Sequence, residues 1–367
     1  MKVQPPTLVG SLVLSKHLSG KKMRVAVFML PFLLPNSTIA ACYTEGATAR
    51  LSNYCAMDRI QGARVDLRTV QLIDYKLKLE GSSNGLGLPT SVAANMVNNF
   101  AYPILSYSDD INGGNSAEPL VLGELTFDGE EELYRKKGIV VGLGAGLKER
   151  YIYGQGRYLN YGLNASYVHS PQHGIGIATT SANVSSINHI KNWWYLDVHA
   201  NTSRMSKDIT DDKSSNLTVV TSKVYSSGDN TYNEASFGVN RYFAESYNQN
   251  QLVLGYDTIH PNGVFSAVDV TFGESVKNQL APKMSLRAKV IIKLADKPLT
   301  VSVSYADADG GRLLGFERSD ETYSISATYN LWSNLTASVG YKTTNSTIDY
   351  FDVNTPTFGV QFSSFEF

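Results

Sequence analysis

The segment Met284-Ser285-Leu286-Arg287-Ala288-Lys289-Val290 alternates apolar side chains with polar or charged ones. The same alternation recurs at 299–305, 323–329 and 335–341. A period of two is the side-chain repeat of a β-strand with one apolar and one polar face. A soluble β-sandwich shows it too, but here strands of about ten residues carry Tyr or Phe at their ends, and the chain closes on Phe367. The sequence therefore predicts an all-β fold, an antiparallel transmembrane β-barrel.

Composition agrees with a barrel and narrows the possible partners. The 367-residue chain is 43% hydrophobic with a mean hydropathy of -0.16, and no run reaches the roughly 18 apolar residues of a transmembrane helix. A barrel explains the low mean, because half of each strand faces a wet lumen. A net charge of -1 predicts no nucleic-acid partner. A secreted all-β domain is the alternative.

Residues 1–40 are expected to be a leader and signal peptide. A basic run at 21–24 precedes apolar residues 25–34, and small residues follow. We expect translation to start at Met23, which would make the first 22 residues an artefact of the start assignment. The alternative, a soluble protein with a buried N-terminal helix, fits poorly because Pro31 would interrupt the helix.

Two cysteines, Cys42 and Cys55, follow the predicted cleavage point. In an oxidising periplasm such a pair most simply forms a disulfide that closes a short loop. Residues 39–42 also resemble a lipobox, in which Cys42 would become the acylated N-terminus. The second cysteine favours the disulfide, as does the fact that a barrel needs no lipid anchor. Two cysteines without neighbouring histidines are too few ligands for a metal site, and no cofactor is expected.

Residues 41–98 are expected to form a small periplasmic segment, and residues 99–367 the barrel. Short β-like runs lie at 65–70 and 72–79, and residues 91–100 have the character of a short helix. The segment is too small for a core of its own. We therefore expect it to pack at or inside the barrel mouth.

The alternation yields about thirteen strands, the first at 102–108 and the last at 358–367. A single-chain bacterial barrel with both termini in the periplasm needs an even number. We therefore predict a further strand between 174 and 190 and fourteen strands in all, with twelve as the alternative.

Connections near the C-terminus alternate in length. The segments 296–298 and 332–334 are short, whereas 306–320 and 343–357 are long. Short periplasmic turns and long outward loops are typical of outer-membrane barrels.

The last strand resembles the C-terminal recognition signal of outer-membrane proteins, which ends in aromatic-x-aromatic. Phe365-Glu366-Phe367 fits that ending and predicts recognition by the barrel-assembly machinery. Phe358, Val360 and Phe362 lie in the opposite phase. A bulge at 363–364 would absorb this slip.

The residues show no catalytic constellation, so the chain is predicted not to be an enzyme. Neither G-x-S-x-G nor H-E-x-x-H occurs. Pro171 prevents a helix that would bring His169 and His173 onto one face. The acidic runs 109–110 and 130–132 are interpreted as solvated.

Charged side chains in the polar phase of the strands are candidates for lining a lumen. Basic members outnumber acidic ones, which weakly favours anionic solutes; charge pairing across the lumen is the alternative. The glycines at 142, 144 and 146 share one face and would leave room in the lumen or allow curvature. The candidates are Lys148, Arg150, Asp197, His199, Asp269, Arg287, Lys289, Lys293 and Lys342.

One stretch resembles a known family. Residues 105–115 contain Asp109-Asp110-Ile111-Asn112-Gly113, and residues 120–127 lead into the glycine-rich strand at 138–153. This order is similar to the start of the barrel in surface lipoprotein assembly modulators (Slam). The resemblance implies a fourteen-stranded barrel that delivers lipoproteins to the cell surface. The family's helical repeats have no room in residues 41–98, so the step that they perform would be missing.

These observations predict a non-enzymatic protein of the bacterial outer membrane, surrounded by its lipid. The first hypothesis is passage across that membrane, either Slam-like translocation of a lipoprotein client or porin-like movement of a small solute. A structural or adhesive surface barrel is the second class, and a barrel enzyme is the third.

Overall fold

The fold was analysed in a computed structural model, which describes residues 41–61, 67–82, 96–114, 116, 119–332, 335–362 and 365–366. Two helices come first, α1 (Ala49–Gln61) and α2 (Leu67–Lys78). Long antiparallel strands follow, and each pairs with its neighbour along the chain. The strands are β1 (Met96–Ser108), β2 (Gly138–Gly154), β3 (Arg157–Ser170), β4 (Ile175–Lys191), β5 (Trp194–Ser206), β6 (Asp211–Gly228), β7 (Thr231–Ala244), β8 (Asn248–Ile259), β9 (Phe265–Gly273), β10 (Ala281–Leu294), β11 (Lys297–Leu313), β12 (Phe316–Trp332), β13 (Leu335–Ser346) and β14 (Val353–Phe362).

The sheet closes because β14 pairs with β1, where Ile104 lies opposite Gln361. Fourteen strands form the wall, so the predicted fourteen is confirmed and the alternative of twelve is wrong. The predicted extra strand is β4 (Ile175–Lys191). Closure leaves no unpaired sheet edge, which is the only way in which strands can cross a hydrocarbon layer.

The predicted alternation separates outside from inside in every wall strand that it identified. Leu143, Val219 and Ile325 point outward and are 69%, 37% and 54% exposed, whereas the polar phase faces the lumen. Exposed aromatic side chains lie near both ends of the wall, including Trp332 at one end and Phe272 at the other. An apolar outer band between aromatic girdles is the surface of an outer-membrane β-barrel.

The structure corrects the predicted start of the barrel. Met96–Phe100 belongs to strand β1 and pairs with β2, so the helix expected at 91–100 is wrong over those five residues; residues 91–95 lie outside the described part of the chain. The first strand therefore begins at Met96 rather than Tyr102. Its register is fixed along its full length by the long neighbour β2.

One predicted long loop is also corrected. Strands β11 and β12 extend through most of 306–320 and are joined by the two-residue turn Leu314-Gly315. Cross-strand pairs such as Arg312 opposite Glu317 continue the ladder beyond the point where the alternation of apolar side chains stops. The predicted loop at 343–357 is also shorter than expected, because β13 runs to Ser346 and β14 begins at Val353. The remaining residues, 347–352, contain a short 3-10 turn at Asp349–Phe351.

Pairing at the C-terminus resumes after β14, where Phe365 lies opposite Ala101 and Glu366 opposite Phe100. Between these pairs and the pair of Ile104 with Gln361, the register against β1 shifts by one residue. The phase therefore slips between them, as the sequence predicts, while residues 363–364 themselves lie outside the described residues. In the part of the chain that the structure describes, no helix is long and apolar enough to cross a membrane.

Candidate functional site

The two helices lie inside one end of the barrel, where they form a plug (residues 41–61 and 67–82). Helix α1 packs against strands β6, β7 and β8. The plug has no separate core, because its buried side chains share one apolar cluster with inward side chains of the wall. Plug members are Cys42, Leu51, Cys55, Ala56, Ile73 and Leu77, and wall members include Ile152, Tyr195, Tyr232, Phe265 and Ile291.

Helix α2 replaces the β-like runs predicted from the sequence. Residues 67–70 and 72–78 are helical, and 65–66 lie outside the described residues. Ile73 and Leu77 are 1% and 2% exposed and lie four positions apart, so they share one helix face. Leu72 and Tyr75 are exposed on the other side. Apolar side chains in this segment fit both the two-residue repeat of a strand and the repeat of a helix. Burial of Ile73 and Leu77 against the wall favours the helix.

The disulfide between Cys42 and Cys55 spans 13 residues, with the Cα atoms 5.5 Å apart. Both cysteines are fully buried in the shared cluster. The bridge ties the segment before α1 to the middle of that helix.

Arg50 of α1 joins the plug to two strands of the wall. Its Nη1 donates to Asp197 Oδ2 of β5 at 2.5 Å, and its Nε donates to Glu234 Oε1 of β7 at 2.8 Å. The side chains are only 12%, 3% and 4% exposed, respectively. Thr48 also donates its hydroxyl hydrogen to Glu234 and accepts a bond from the Leu51 N–H at the start of the helix. The sequence gives no sign of this cluster beyond the placement of Asp197 in the inward phase.

Arg150 of β2 contacts the plug from a different part of the wall. Its Nη1 donates to the Leu79 carbonyl at 3.0 Å and its Nε to Asn160 Oδ1 at 2.7 Å. The guanidinium lies 4.3 Å from the centre of the Tyr158 ring. This predicted lumen residue therefore also holds the end of α2.

Three side chains of the plug have pKa values that differ from their usual ones. Burial raises the pKa of Glu80 to about 7, although Arg150 and the Asn53 amide act in the opposite direction. Burial, with the nearby Glu80 carboxylate, raises the pKa of Tyr43 to about 12. Arg50 keeps its charge, since the attraction of its two carboxylate partners outweighs burial and raises its pKa.

Beside the plug, the lumen contains a cavity of about 750 Å³ (the lumen cavity). Its wall comes from β1–β4 and β11–β14, opposite the strands on which α1 packs. Most of the lining is uncharged and polar. The lining side chains include Asn98, Tyr102, Lys148, Asn164, Asn183, Thr300, Thr328, Asn330, Thr336 and Gln361, together with Glu45 of the plug.

Glycines of β2 make room for aromatic side chains within this cavity. Tyr102 lies opposite Gly144 and Phe100 opposite Gly146. A Cβ on Gly144 would come within 2.4 Å of the Tyr102 ring, and one on Gly146 within 2.7 Å of the Phe100 ring. The sequence offered two reasons for these glycines, room in the lumen or curvature of the strand. Gly144 and Gly146 show the first of these reasons.

All of the predicted charged candidates lie on the inward phase of the wall. Arg287 lies directly opposite Asp269, and Lys289 opposite Ala267. The ammonium of Lys289 is 5.1 Å from the Phe265 ring, and that of Lys148 is 5.1 Å from the Phe100 ring. Lys293 is opposite Pro298, and Lys342 is opposite Ser324.

These candidates separate into groups rather than forming one ring. Asp197 binds Arg50, and Arg150 binds the plug, whereas Lys148 borders the lumen cavity. Lys289, Arg287 and Lys293 follow one another along a single strand, β10. That strand gives one side of the lumen a positive stripe, and its role in solute passage stays a prediction.

At the end of the wall opposite the plug, the acidic run at 109–110 is not simply solvated. Asp110 Oδ2 accepts a hydrogen bond from the Lys207 ammonium at 2.8 Å, and its Oδ1 accepts from the N–H groups of Gly113 and Gly114. The buried Asn112 bonds to the backbone of Tyr134 and Lys136. Residues 109–114, which belong to the stretch that resembles the Slam family, thus form an ordered loop. Among the described residues, no cluster of three or more His, Cys, Asp or Glu side chains could hold a metal ion.

No family model matches this chain, and no curated protein matches it. Solved structures with a similar shape include OccK9 (OpdG) of Pseudomonas aeruginosa, at 10% identity and a TM-score of 0.42, covering 74% of this chain and 98% of that one. OprB of Pseudomonas putida has 8% identity and a TM-score of 0.43, covering 74% and 94%. A BenF-like porin from Pseudomonas fluorescens Pf-5 has 7% identity and a TM-score of 0.37, covering 74% and 99%. These similarities are too distant to assign a solute to this chain.

Proposed function

We propose that this protein is a porin-like channel of the bacterial outer membrane, through which small solutes pass beside a plug that narrows one mouth. The observation that carries the proposal is the lumen cavity of about 750 Å³ between the plug and one side of the wall. A volume of this size accommodates a small solute rather than a folded polypeptide. Its uncharged polar lining offers hydrogen bonds in place of hydration water, as in other channels.

The plug lies at the periplasmic mouth in this proposal. The end that it occupies carries most of the two-residue turns, such as Ala295-Asp296 and Asp229-Asn230, whereas Leu314-Gly315 lies at the opposite end. Outer-membrane barrels place their short turns on the periplasmic side. The opposite end carries the long connection at 109–137. Residues 1–40 remain a proposed leader and signal peptide, and residues 365–367 a proposed signal for the assembly machinery.

Slam-like translocation has less support from the molecule. Of the stretch that resembles that family, residues 109–114 form a loop and residues 138–153 form a wall strand that borders the lumen cavity. Among the described residues, neither part favours a lipoprotein client. A structural or adhesive barrel is the competing outcome of the test below. Within the described part of the lumen, no geometry favours an enzymatic role.

The test is single-channel conductance in a planar bilayer for the refolded full chain and for a variant that lacks residues 41–82. We expect a small, steady conductance from the full chain and a severalfold larger one from the variant, because the plug fills one side of the lumen. Circular dichroism and heat-modifiable migration would show that both are folded barrels. Silence in both proteins would overturn the proposal and favour the structural or adhesive barrel.

Ion selectivity tests the positive stripe on β10. Replacing Arg287, Lys289 and Lys293 together by Gln removes three positive charges from one side of the lumen, so the reversal potential in a salt gradient should shift toward cations. Lys213→Gln is the control, because this exposed residue pairs with Asp211 on the outer face of the wall. An unchanged reversal potential in the triple variant would show that the stripe does not line the pathway.

A further inference from the structure

A second, smaller cavity of about 410 Å³ (the plug pocket) lies within the plug where it meets β2. Its charged and polar lining comes from the segment before α1, from both helices and from Arg150 of the wall. Glu45 borders both the plug pocket and the lumen cavity, so the two spaces are adjacent. A solute in the lumen therefore has a short route to this pocket.

Two buried polar atoms in the lining make no hydrogen bond of normal geometry. They are Nδ2 of Asn53, a residue 1% exposed, and Oε1 of Glu80, a residue 5% exposed. Asn53 Oδ1 is already engaged, since it accepts a bond from the Tyr43 hydroxyl at 3.3 Å. More than nine in ten buried polar groups in native proteins are satisfied. One atom is a donor and the other an acceptor, and the Asn53 amide already acts on the Glu80 carboxyl group. An occupant between the two side chains would therefore need both functions.

The pocket also carries charge of both signs. Lys76 and Arg150 supply positive charge, and Glu45 and Glu80 supply negative charge. An anion would meet the two carboxylates, and a cation would meet the ammonium and the guanidinium. A molecule with both charges avoids either repulsion. The volume lies in the range of small-molecule sites.

We propose that the plug pocket binds a small zwitterion that carries an ammonium group and a carboxylate, such as an α-amino acid. The ammonium binds Glu80 and Glu45, and the carboxylate binds Lys76 and the Asn53 amide. The route by which the solute arrives rests on the proposed channel, whereas binding itself can be measured without any current. Failure of the channel and failure of the pocket are therefore distinguishable.

The experiment is isothermal titration calorimetry of the refolded full chain in detergent, with L-glutamine as the probe. Propionate and propylamine each carry one of its two charges and serve as comparators. The titration is run near pH 8, above the raised pKa of Glu80, so that this carboxyl group is ionised. We expect saturable binding of L-glutamine, with each comparator at least tenfold weaker.

Two variants locate the binding. Glu80→Gln removes a carboxylate at nearly constant volume, and Lys76→Gln removes a positive charge from an exposed residue. Each should weaken binding at least tenfold. Lys78→Gln is the matched control, because this residue pairs with Asp74 within α2 and does not line the pocket. Binding unchanged in both pocket variants, or comparators that bind as tightly as L-glutamine, would overturn the proposal. So would no binding up to about 10 mM, which would mean that the pocket holds water only.

Discussion

Replacing Arg50 by Gln should release the plug from the wall. The substitution leaves Asp197 and Glu234 buried and without their cation, at 3% and 4% side-chain exposure. Removing one member of a buried ionic cluster typically costs 3–5 kcal/mol, chiefly because the remaining charge is stranded. At about 1.4 kcal/mol per factor of ten, a loss of about 3 kcal/mol shifts the docking equilibrium of the plug roughly a hundredfold.

A planar bilayer measures this shift directly. The deletion of residues 41–82 defines the conductance of a barrel without its plug, and the fraction of time that each full-length variant spends at that level measures undocking. We expect this fraction to rise roughly a hundredfold in Arg50→Gln. Lys213→Gln makes the same charge change on the exposed outer face of the wall, where the lysine pairs with the half-exposed Asp211. That variant should behave as the wild type does.

A triple variant separates stranded charge from lost packing. Arg50→Met combined with Asp197→Asn and Glu234→Gln removes the cation and both anions together, so no buried charge is left uncompensated. Most of the docking should return. If Arg50→Gln shows the wild-type fraction, the ion-pair cluster does not hold the plug in place. If the triple variant is as open as the single one, uncompensated charge is not the cause of opening.

Three further outcomes are expected from unfolding measurements. Reducing the Cys42–Cys55 bridge, which spans 13 residues, should destabilise the plug by about 3 kcal/mol. The stability of a Cys42→Ser, Cys55→Ser variant should not change when reductant is added. A wild-type stability that is also unchanged by reductant would contradict the prediction. Because burial raises the pKa of Glu80 from 4.5 to about 7, the folded state holds that proton more tightly than the unfolded chain does. Stability should therefore fall by roughly 3 kcal/mol between about pH 4.5 and 7, and an equal slope in Glu80→Gln would refute this origin. Gly144→Ala should cost about 1–3 kcal/mol through its clash with the Tyr102 ring. In a Tyr102→Ala background, Gly144→Ala should cause no further loss of stability. A loss that persists in this background would show that the clash involves another residue.

The wall could be predicted because each strand carries its own signal. In β10, Leu286, Ala288 and Val290 face outward while Arg287 and Lys289 face the lumen, and five consecutive residues are enough to show it. The membrane-facing side is selected by a single property, hydrophobicity, at every second position. Local sequence therefore suffices.

Strand β4 shows where that signal weakens. Its outward face carries Ala178, Thr180 and Ala182 before Val184, so the contrast between its two faces is small. Its existence followed only from the requirement for an even number of strands. Parity is a property of the closed sheet, and it adds information that residues 175–191 alone do not contain.

The plug could not be predicted in the same way, because its stabilising partners are remote in sequence. Arg50 lies 147 residues from Asp197 and 184 residues from Glu234. Nothing near Arg50 distinguishes it from a solvated arginine. The helical period of α2 was likewise ambiguous until the wall supplied a surface against which Ile73 and Leu77 could be buried.

The shared apolar cluster has a consequence for the order of assembly. Leu51 and Ile73 belong to the first described part of the chain, yet the cluster that buries them includes Phe265 of β9 and Ile291 of β10. Contacts across more than 200 residues form only after the intervening chain has been organised. In a refolding time course, protease protection of residues 41–82 should appear after the heat-resistant barrel does. The plug is synthesised before the wall, yet it is then the last part of the chain to reach its native packing. The barrel closes first, and the two N-terminal helices enter its lumen afterwards.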